Sequence, residues 1–328
     1  MEKLIRKIFE IKSERDFNEL ALEIFRLQST QNDAYKKYLK LLKVNHQDVK
    51  RIEDIPFLPI ELFKSHQISI SGYQPQLIFE SSGTTSSHVS RHYVISEKLY
   101  QESFLKGFQN FYGNPESYCI LALLPSYLER KNSSLIYMMN NLIQKSKMSD
   151  SGFYLDDLEA LSMVLKRRAI DGAKTLLLGV SFALLNLADK HPLTLPGNIA
   201  IMETGGMKGR REEMIRQELH EALQNAFGQS NIHSEYGMTE LLSQAYSMGN
   251  GVFKTPPWMK IMIRDLYDPF NILPEGKSGG INVIDLANLF SCSFIATADA
   301  GVEKQEGSFE ILGRSDHSEI RGCNLMVI

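Results

Sequence analysis

Ile78-Phe79-Glu80-Ser81-Ser82-Gly83-Thr84-Thr85-Ser86-Ser87 sets the reading of the chain. The apolar run Gln76-Leu77-Ile78-Phe79 feeding it reads as the end of a strand. A polar, histidine-bearing segment follows, and a helix begins near Ser96. Small hydroxyl residues around one glycine make a loop whose amides and hydroxyls can all face one anion. Glycine admits a close backbone approach, and Ser and Thr add donors at little steric cost. Phosphate suits such a cup. An ordinary polar turn has the same composition, so the choice rests on what surrounds it.

Working outward, apolar runs alternate with helical periodicity. A helix is expected from Ser96 to about Phe111, then a buried strand over residues 118–124 ending at Pro125. Helices follow over roughly Ser133–Ile143 and Leu155–Arg168. Next come a strand at Thr175–Leu178, a helix after Ser181 and a strand at Ile199–Thr204. Gly205-Gly206 then leads into an amphipathic helix from Arg210 to Phe227. That alternation predicts a largely parallel sheet layered with helices, with sites beyond the carboxyl ends of the strands. The Gly83 loop, Pro125-Ser126-Tyr127, Gly205-Gly206 and Tyr236-Gly237 all follow strands and could meet in one crevice. Upstream, Glu2 to about Leu42 predicts two or three helices, with Phe17, Leu20, Ala21, Ile24 and Phe25 as a core stripe. The prolines of Ile52–Ile60 give an extended connector into a short helix near Glu61–Ser65. Beyond Gly249, short strands near residues 258–263, 280–284, 293–297 and 308–312 predict a small antiparallel sheet or barrel. The expected organisation is a helical region and connector at 1–75, an α/β nucleotide-binding core at 76–248 and a β-rich subdomain at 249–328.

The chain has 328 residues, a net charge of −3 and three cysteines, Cys119, Cys292 and Cys323. That charge gives no reason to expect nucleic acid. No apolar run approaches the roughly 20 residues of a membrane span. The mixed charges of Met1–Lys7 do not suit a secretory signal. The cysteines are too scattered for a disulfide framework or zinc knuckle. A cytoplasmic location is expected.

Two further stretches carry chemistry. In His233-Ser234-Glu235-Tyr236-Gly237-Met238-Thr239-Glu240 an aromatic ring could stack a base, Thr239 could bond a phosphate and Glu240 could hold a hard cation such as Mg²⁺. The same letters also suit a strand end and a helix capped by Thr239. In Thr297-Ala298-Asp299-Ala300-Gly301 and Gly313-Arg314-Ser315-Asp316, an Asp at a strand end could accept ribose hydroxyls beside the donor fork of an Arg. A turn aspartate and a surface arginine fit equally.

Taken in order, Ser81–Thr85, Gly205-Gly206, Tyr236–Glu240, Asp299–Gly301 and Gly313–Asp316 resemble the motifs of the adenylate-forming superfamily. The nearest likeness is to LuxE-type acyl-protein synthetases, and phenylacetate–CoA ligases come next. Residues 55–64, 124–130 and 318–323 share in it. The resemblance implies ATP-dependent activation of a carboxylic acid, commonly a fatty acid. An acyl-adenylate forms, and the acyl group passes to a protein thiol for delivery to a reductase or carrier-protein partner. It also implies roles. Ser81, Ser82, Gly83, Thr84 and Thr85 would hold the β- and γ-phosphates, and Gly205 and Gly206 would border adenine. Tyr236, followed by Gly237, would stack on adenine. Thr239 would touch the α-phosphate, Glu240 would bind Mg²⁺, and Asp299 and Arg314 would hold the ribose. Tyr127 would lie near the acid.

Two departures stand out. The loop lacks the lysine that usually closes it, leaving His88, Arg91 or His92 as candidate phosphate or substrate contacts. The chain also ends soon after Arg314, without room for the further mobile domain of about 100 residues that such enzymes commonly carry. Cys323, beside Arg321 and after His317, is the candidate acyl-accepting nucleophile, and a buried terminal cysteine is the alternative. A phenylacetate-type acid–CoA ligase and a nucleotide-binding partner protein without adenylation activity remain open.

Overall fold

A computed structural model describes residues 1–81, 89–125, 132–207, 211–212 and 214–314. Three helices open the chain, α1 (Glu2–Phe9), α2 (Glu14–Gln31) and α3 (Asp33–Leu41). Ser13 and Asp16 form a capping box on α2, and the stripe from Phe17 to Phe25 is buried as expected. The two-proline connector becomes a two-residue strand, β1 (Leu58–Pro59), and a 3₁₀ turn over Ile60–Lys64. Next, β2 (Leu77–Glu80) and β3 (Arg91–Val94) pair antiparallel as a separate hairpin. The segment after the Gly83 loop is therefore a return strand rather than a polar connection. Its alternation buries His92 and Val94 and leaves Arg91 in solvent.

The parallel half of the main sheet runs in spatial order β8-β7-β6-β4-β5. Its strands are β4 (Cys119–Leu123), β5 (Gly152–Phe153), β6 (Thr175–Val180), β7 (Ile199–Thr204) and β8 (His233–Tyr236). Every residue of β4 and β6 is buried. Successive side chains point to opposite faces, so both faces are covered. The helices are α4 (Glu97–Tyr112), α5 (Ser134–Lys145), α6 (Leu158–Asp171), α7 (Ser181–Lys190) and α8 (Arg216–Phe227). Ser96, Ser133 and Asp157 cap α4, α5 and α6. The helix expected from Arg210 starts only at Arg216. Met214 and Ile215 stay exposed, so no apolar face exists there to bury.

The antiparallel strands extend this same sheet. They are β9 (Ala245–Ser247), β10 (Val252–Lys254), β11 (Met259–Arg264), β12 (Ser278–Asp285), β13 (Phe294–Glu303) and β14 (Phe309–Arg314). The order from the seam is β8-β9-β10-β14-β13-β12-β11, with β1 parallel to β13. In a flat sheet β8 and β13 would lie four spacings apart, roughly 19 Å. Yet the Tyr236 hydroxyl on β8 reaches Asp299 on β13 at 2.7 Å. The sheet must therefore roll over at this end. The rings of Tyr236, Phe253 and Phe309 fill the roll, with centroids 5.5–6.2 Å apart. Among the described residues no helix is long and apolar enough to cross a membrane.

The N-terminal helices attach through aromatic contacts and buried polar groups. Phe25 and Tyr35 pack on Phe294. The Gln28 amide donates to the carbonyls of Asn288 and Leu289 at 2.9 and 3.0 Å and accepts from the Ser293 amide at 3.0 Å. Asn32 donates to the Ser291 carbonyl at 2.9 Å. Substituting Gln28→Leu should strand these backbone groups and cost about 3 kcal/mol. Urea unfolding checks this, and an unchanged midpoint would show that the bonds contribute nothing net.

Candidate active site

Tyr236 ends β8 and donates its hydroxyl to Asp299 Oδ2. Burial first, and then the Asp299 carboxylate, push the phenol well above its ordinary range. Asp299 is registered opposite Arg314 on β14. Burial raises the Asp299 carboxyl, while Tyr236, Arg314, Arg264 and Arg216 pull it back. Three residues from distant motifs thus form one cluster. Arg216 secures its edge. It lies 3.3 Å from Glu203 on β7 and donates to the Ile311 carbonyl on β14 at 3.1 Å.

Thr239 and Glu240 lie in a turn, and no helix is capped there. Buried groups hold that turn from beneath. Asp285 Oδ2 accepts the amides of Leu242 and Ser243, both at 2.9 Å, and its Oδ1 accepts the Ser243 hydroxyl at 2.6 Å. Asn288 donates to the Glu240 carbonyl at 2.8 Å. His92 reaches the Thr239 carbonyl through Nδ1 and the Ser291 hydroxyl through Nε2, both at 2.9 Å. Burial drives the Asp285 carboxyl up to about 6 and the His92 imidazole down to about 4. His92 is a buried strut, with neither nitrogen available to phosphate. Arg91 is engaged with Glu80 at 2.9 Å. Asp285 and Asn288 escaped the sequence reading. Their signal was an Asp-x-x-Asn turn closing an apolar strand, which is common in turns that do no chemistry.

Glu240 is buried, and burial raises its carboxyl. The Ser90 hydroxyl, its own amide, and the charges of Arg314 and Lys64 oppose that shift. Ser90 closes the base of the hydroxyl loop. Its amide donates to the Ser81 hydroxyl at 3.0 Å, and its carbonyl accepts from the Ser81 amide at 3.0 Å. The foot of the loop therefore sits against Glu240. Ser82, Gly83, Thr84, Thr85, His88, Tyr127 and Cys323 lie outside the described residues. Cys119 and Cys292 are buried, and burial raises both thiols, Cys292 to about 12.

Gly205, at φ +70°, ends β7 one residue beyond the Thr204–Glu235 pair, which places it beside Tyr236. Only glycine takes that angle at little cost. At Gly237 a Cβ would fall 2.4 Å from a Glu235 carboxylate oxygen. Glu235 is buried and accepts from Thr204 Oγ1; burial raises its carboxyl to about 7. Among the described residues nothing stands within 4 Å of where a Cβ on Gly206 would be, which leaves its face open to a ligand.

One residue past Ser181, whose hydroxyl donates to the Gly205 carbonyl at 3.1 Å, α7 borders a cavity of about 330 Å³. Leu123, Pro125, Leu155, Leu158, Phe182 and Ala183 form its apolar side, and Asp156, Asn186 and Lys190 its polar side. Arg211 stands at its edge, held by Asn186 and by Asp189 at 2.6 Å. Cavity and tyrosine cluster share the carboxyl edge of the parallel strands. For a cation, the Glu240 carboxylate and nearby Ser90 hydroxyl are hard oxygen donors. That set suits Mg²⁺, which takes few protein carboxylates and fills its shell from phosphate and water.

The sequence family described as acyl-protein synthetase, LuxE, matches residues 8–328. The chain belongs to the LuxE acyl-protein synthetase family. No curated protein matches it. Among solved structures it is similar to ATP-bound MatB from Rhodopseudomonas palustris, at 18% identity and a TM-score of 0.54, covering 72% of this chain and 47% of that one. It is also similar to a long-chain-fatty-acid–CoA ligase from Archaeoglobus fulgidus, at 17% identity and a TM-score of 0.51, covering 73% and 51%. These are adenylate-forming enzymes, and the likeness is one of fold. The chain spans about half the length of these structures. The fold expected from the motifs is the one found.

His92 makes the stability of this chain testable by pH. An unfolded histidine takes a proton near pH 6.5, and the buried ring only near 4. Between those values the unfolded chain binds more protons, so stability falls as pH falls. Going from pH 7 to 5 should cost the wild type roughly 2 kcal/mol through this residue. The same component should be missing in His92→Gln. Denaturant unfolding at both pH values measures it, and equal slopes for the two proteins would acquit His92.

Proposed function

We propose that this protein is an ATP-dependent acyl-protein synthetase. In the first step a carboxylate oxygen of the acid bonds to the α-phosphorus of ATP. The bond from that phosphorus to the bridging oxygen breaks, and pyrophosphate leaves. In the second, a thiolate attacks the acyl carbon, the bond to AMP breaks, and a thioester forms. The observation that carries the reading is the meeting of Tyr236, Asp299 and Arg314 beside the Thr239–Glu240 turn and the foot of the Ser81 loop.

Joining two anions needs charge held where it develops. Arg314 and Asp299 border the ribose and α-phosphate end, with Tyr236, Gly205 and Gly206 around the base. Thr239 donates to the α-phosphate, and Ser81 through Thr85 take the phosphate tail. Glu240 holds Mg²⁺, which when bound neutralises phosphate charge. The apolar part of the cavity beside α7 supports a seat for the acid's hydrocarbon, since its wall begins next to the residue that touches Gly205. Cys323 is the proposed thiol, and a reductase or carrier protein is the proposed recipient. The buried Cys119 and Cys292 favour this assignment by default.

With a fatty acid and ATP, the wild type should catalyse pyrophosphate exchange. Glu240→Gln should slow that exchange about 100-fold or more, and no exchange in the wild type would refute adenylation. Labelled fatty acid plus ATP should leave a hydroxylamine-sensitive adduct that Cys323→Ala lacks while keeping exchange. An adduct that survives in Cys323→Ala, or acyl–CoA formed without any adduct, would reassign the acceptor.

A further inference from the structure

The phosphate end of this site lacks a cation in the place where the sequence leads one to look. Between Ser81 and Val89 there is no lysine or arginine. Arg91 is engaged with Glu80, and His92 is buried and bonded through both nitrogens. Arg264 donates to the carbonyls of Ile281 and Thr297 and to Asn282. Arg216 is held by Glu203 and Ile311. Arg314 stands opposite Asp299, at the ribose end of the proposed site.

We propose that Lys64 is the cation that meets the polyphosphate of the bound nucleotide. The inference rests on the function proposed above and adds a residue to it. Lys64 ends the 3₁₀ turn over Ile60–Lys64, and two contacts lock that turn against the site. Just before the turn, Leu58 and Pro59 pair in parallel with Ile295 and Ala296, three residues short of Asp299 on the same strand. Phe63 packs edge-on against the His92 ring, with centroids 5.7 Å apart, and His92 in turn bonds the Thr239 carbonyl. The connector behind is fixed by the hydroxyls of Tyr35 and Tyr38, which donate to the Pro56 and Phe57 carbonyls at 2.6 and 3.1 Å. Lys64 itself is exposed and, among the described residues, forms no ion pair. Its charge, with that of Arg314, is felt by the Glu240 carboxylate. An exposed ammonium on a turn locked against His92 and the strand that carries Asp299 has the chemistry to bind a triphosphate and stabilise departing pyrophosphate. It acts as a charge and hydrogen-bond donor and transfers no proton.

The experiment uses the full chain with Mg²⁺ and compares ATP with AMP, which lacks the β- and γ-phosphates. Titration calorimetry on wild type, Lys64→Ala and Lys64→Arg gives affinities independent of turnover, and pyrophosphate exchange gives the rate. Lys64→Ala should bind ATP about tenfold more weakly, bind AMP as the wild type does, and lose about 100-fold in exchange rate. Lys64→Arg should recover part of both, and Lys36→Ala, an exposed lysine on α3, should change neither. Equal losses for ATP and AMP, or unchanged ATP affinity in Lys64→Ala, would overturn the assignment. A wild type that binds no ATP would instead overturn the proposed function. The urea midpoint of Lys64→Ala should match the wild type, because the side chain is exposed.

Discussion

The site depends on one buried carboxylate. Asp285 closes β12 and accepts the Leu242 amide, the Ser243 amide and the Ser243 hydroxyl, and it also caps the next turn at Ala287. Burial raises its carboxyl to about 6, so ionising it is costly unless these donors stay in place. The Thr239–Glu240 turn cannot shift without leaving that charge short of partners. Asn288 and His92 hold the Glu240 and Thr239 carbonyls of the same turn, and Trp258 adds a donor to Ser243 at 2.9 Å. The turn is thereby given the rigidity of the core, which is what a carboxylate proposed to hold a cation needs.

The rolled sheet supplies the second constraint. Parallel strands put their carboxyl ends on one edge, and that edge carries Gly205, Tyr236 and the cavity. The antiparallel strands curl back until Asp299 meets the Tyr236 hydroxyl. Three rings inside the roll provide the burial that favours it, and Arg216 spans the gap from β7 to β14. The N-terminal helices support the far side through Gln28 and Asn32, which satisfy the backbone of the loop beneath His92. Remote segments thus reach the site through satisfied polar groups rather than through apolar contact alone.

Much of the fold was legible because burial leaves a periodic trace. Residues 118–124, 175–178 and 199–204 read as strands from largely apolar runs, and the helix starts expected near Ser96 and Ser133 fell where those serines cap α4 and α5. The misses have physical causes. β3 carries Arg91 and His92, so its composition hides a strand whose partner lies across a loop. β9 and β10 are three residues each, too short for a pattern to repeat. The helix expected from Arg210 begins at Arg216, and Met214 and Ile215 before it remain in solvent. His92 was read as a loop ligand, yet the hairpin turns it inward and occupies both nitrogens.

By itself the sequence determined most of the order of elements, the motif positions and the family, since each depends on residue type and short spacing. Only the tertiary structure decided which of those residues meet. The Tyr236–Asp299 bond spans 63 residues, and the Thr239–His92 bond spans 147. Such contacts depend on how far a sheet curls and which way a hairpin faces. Those are properties of packing between segments, and no local pattern encodes them.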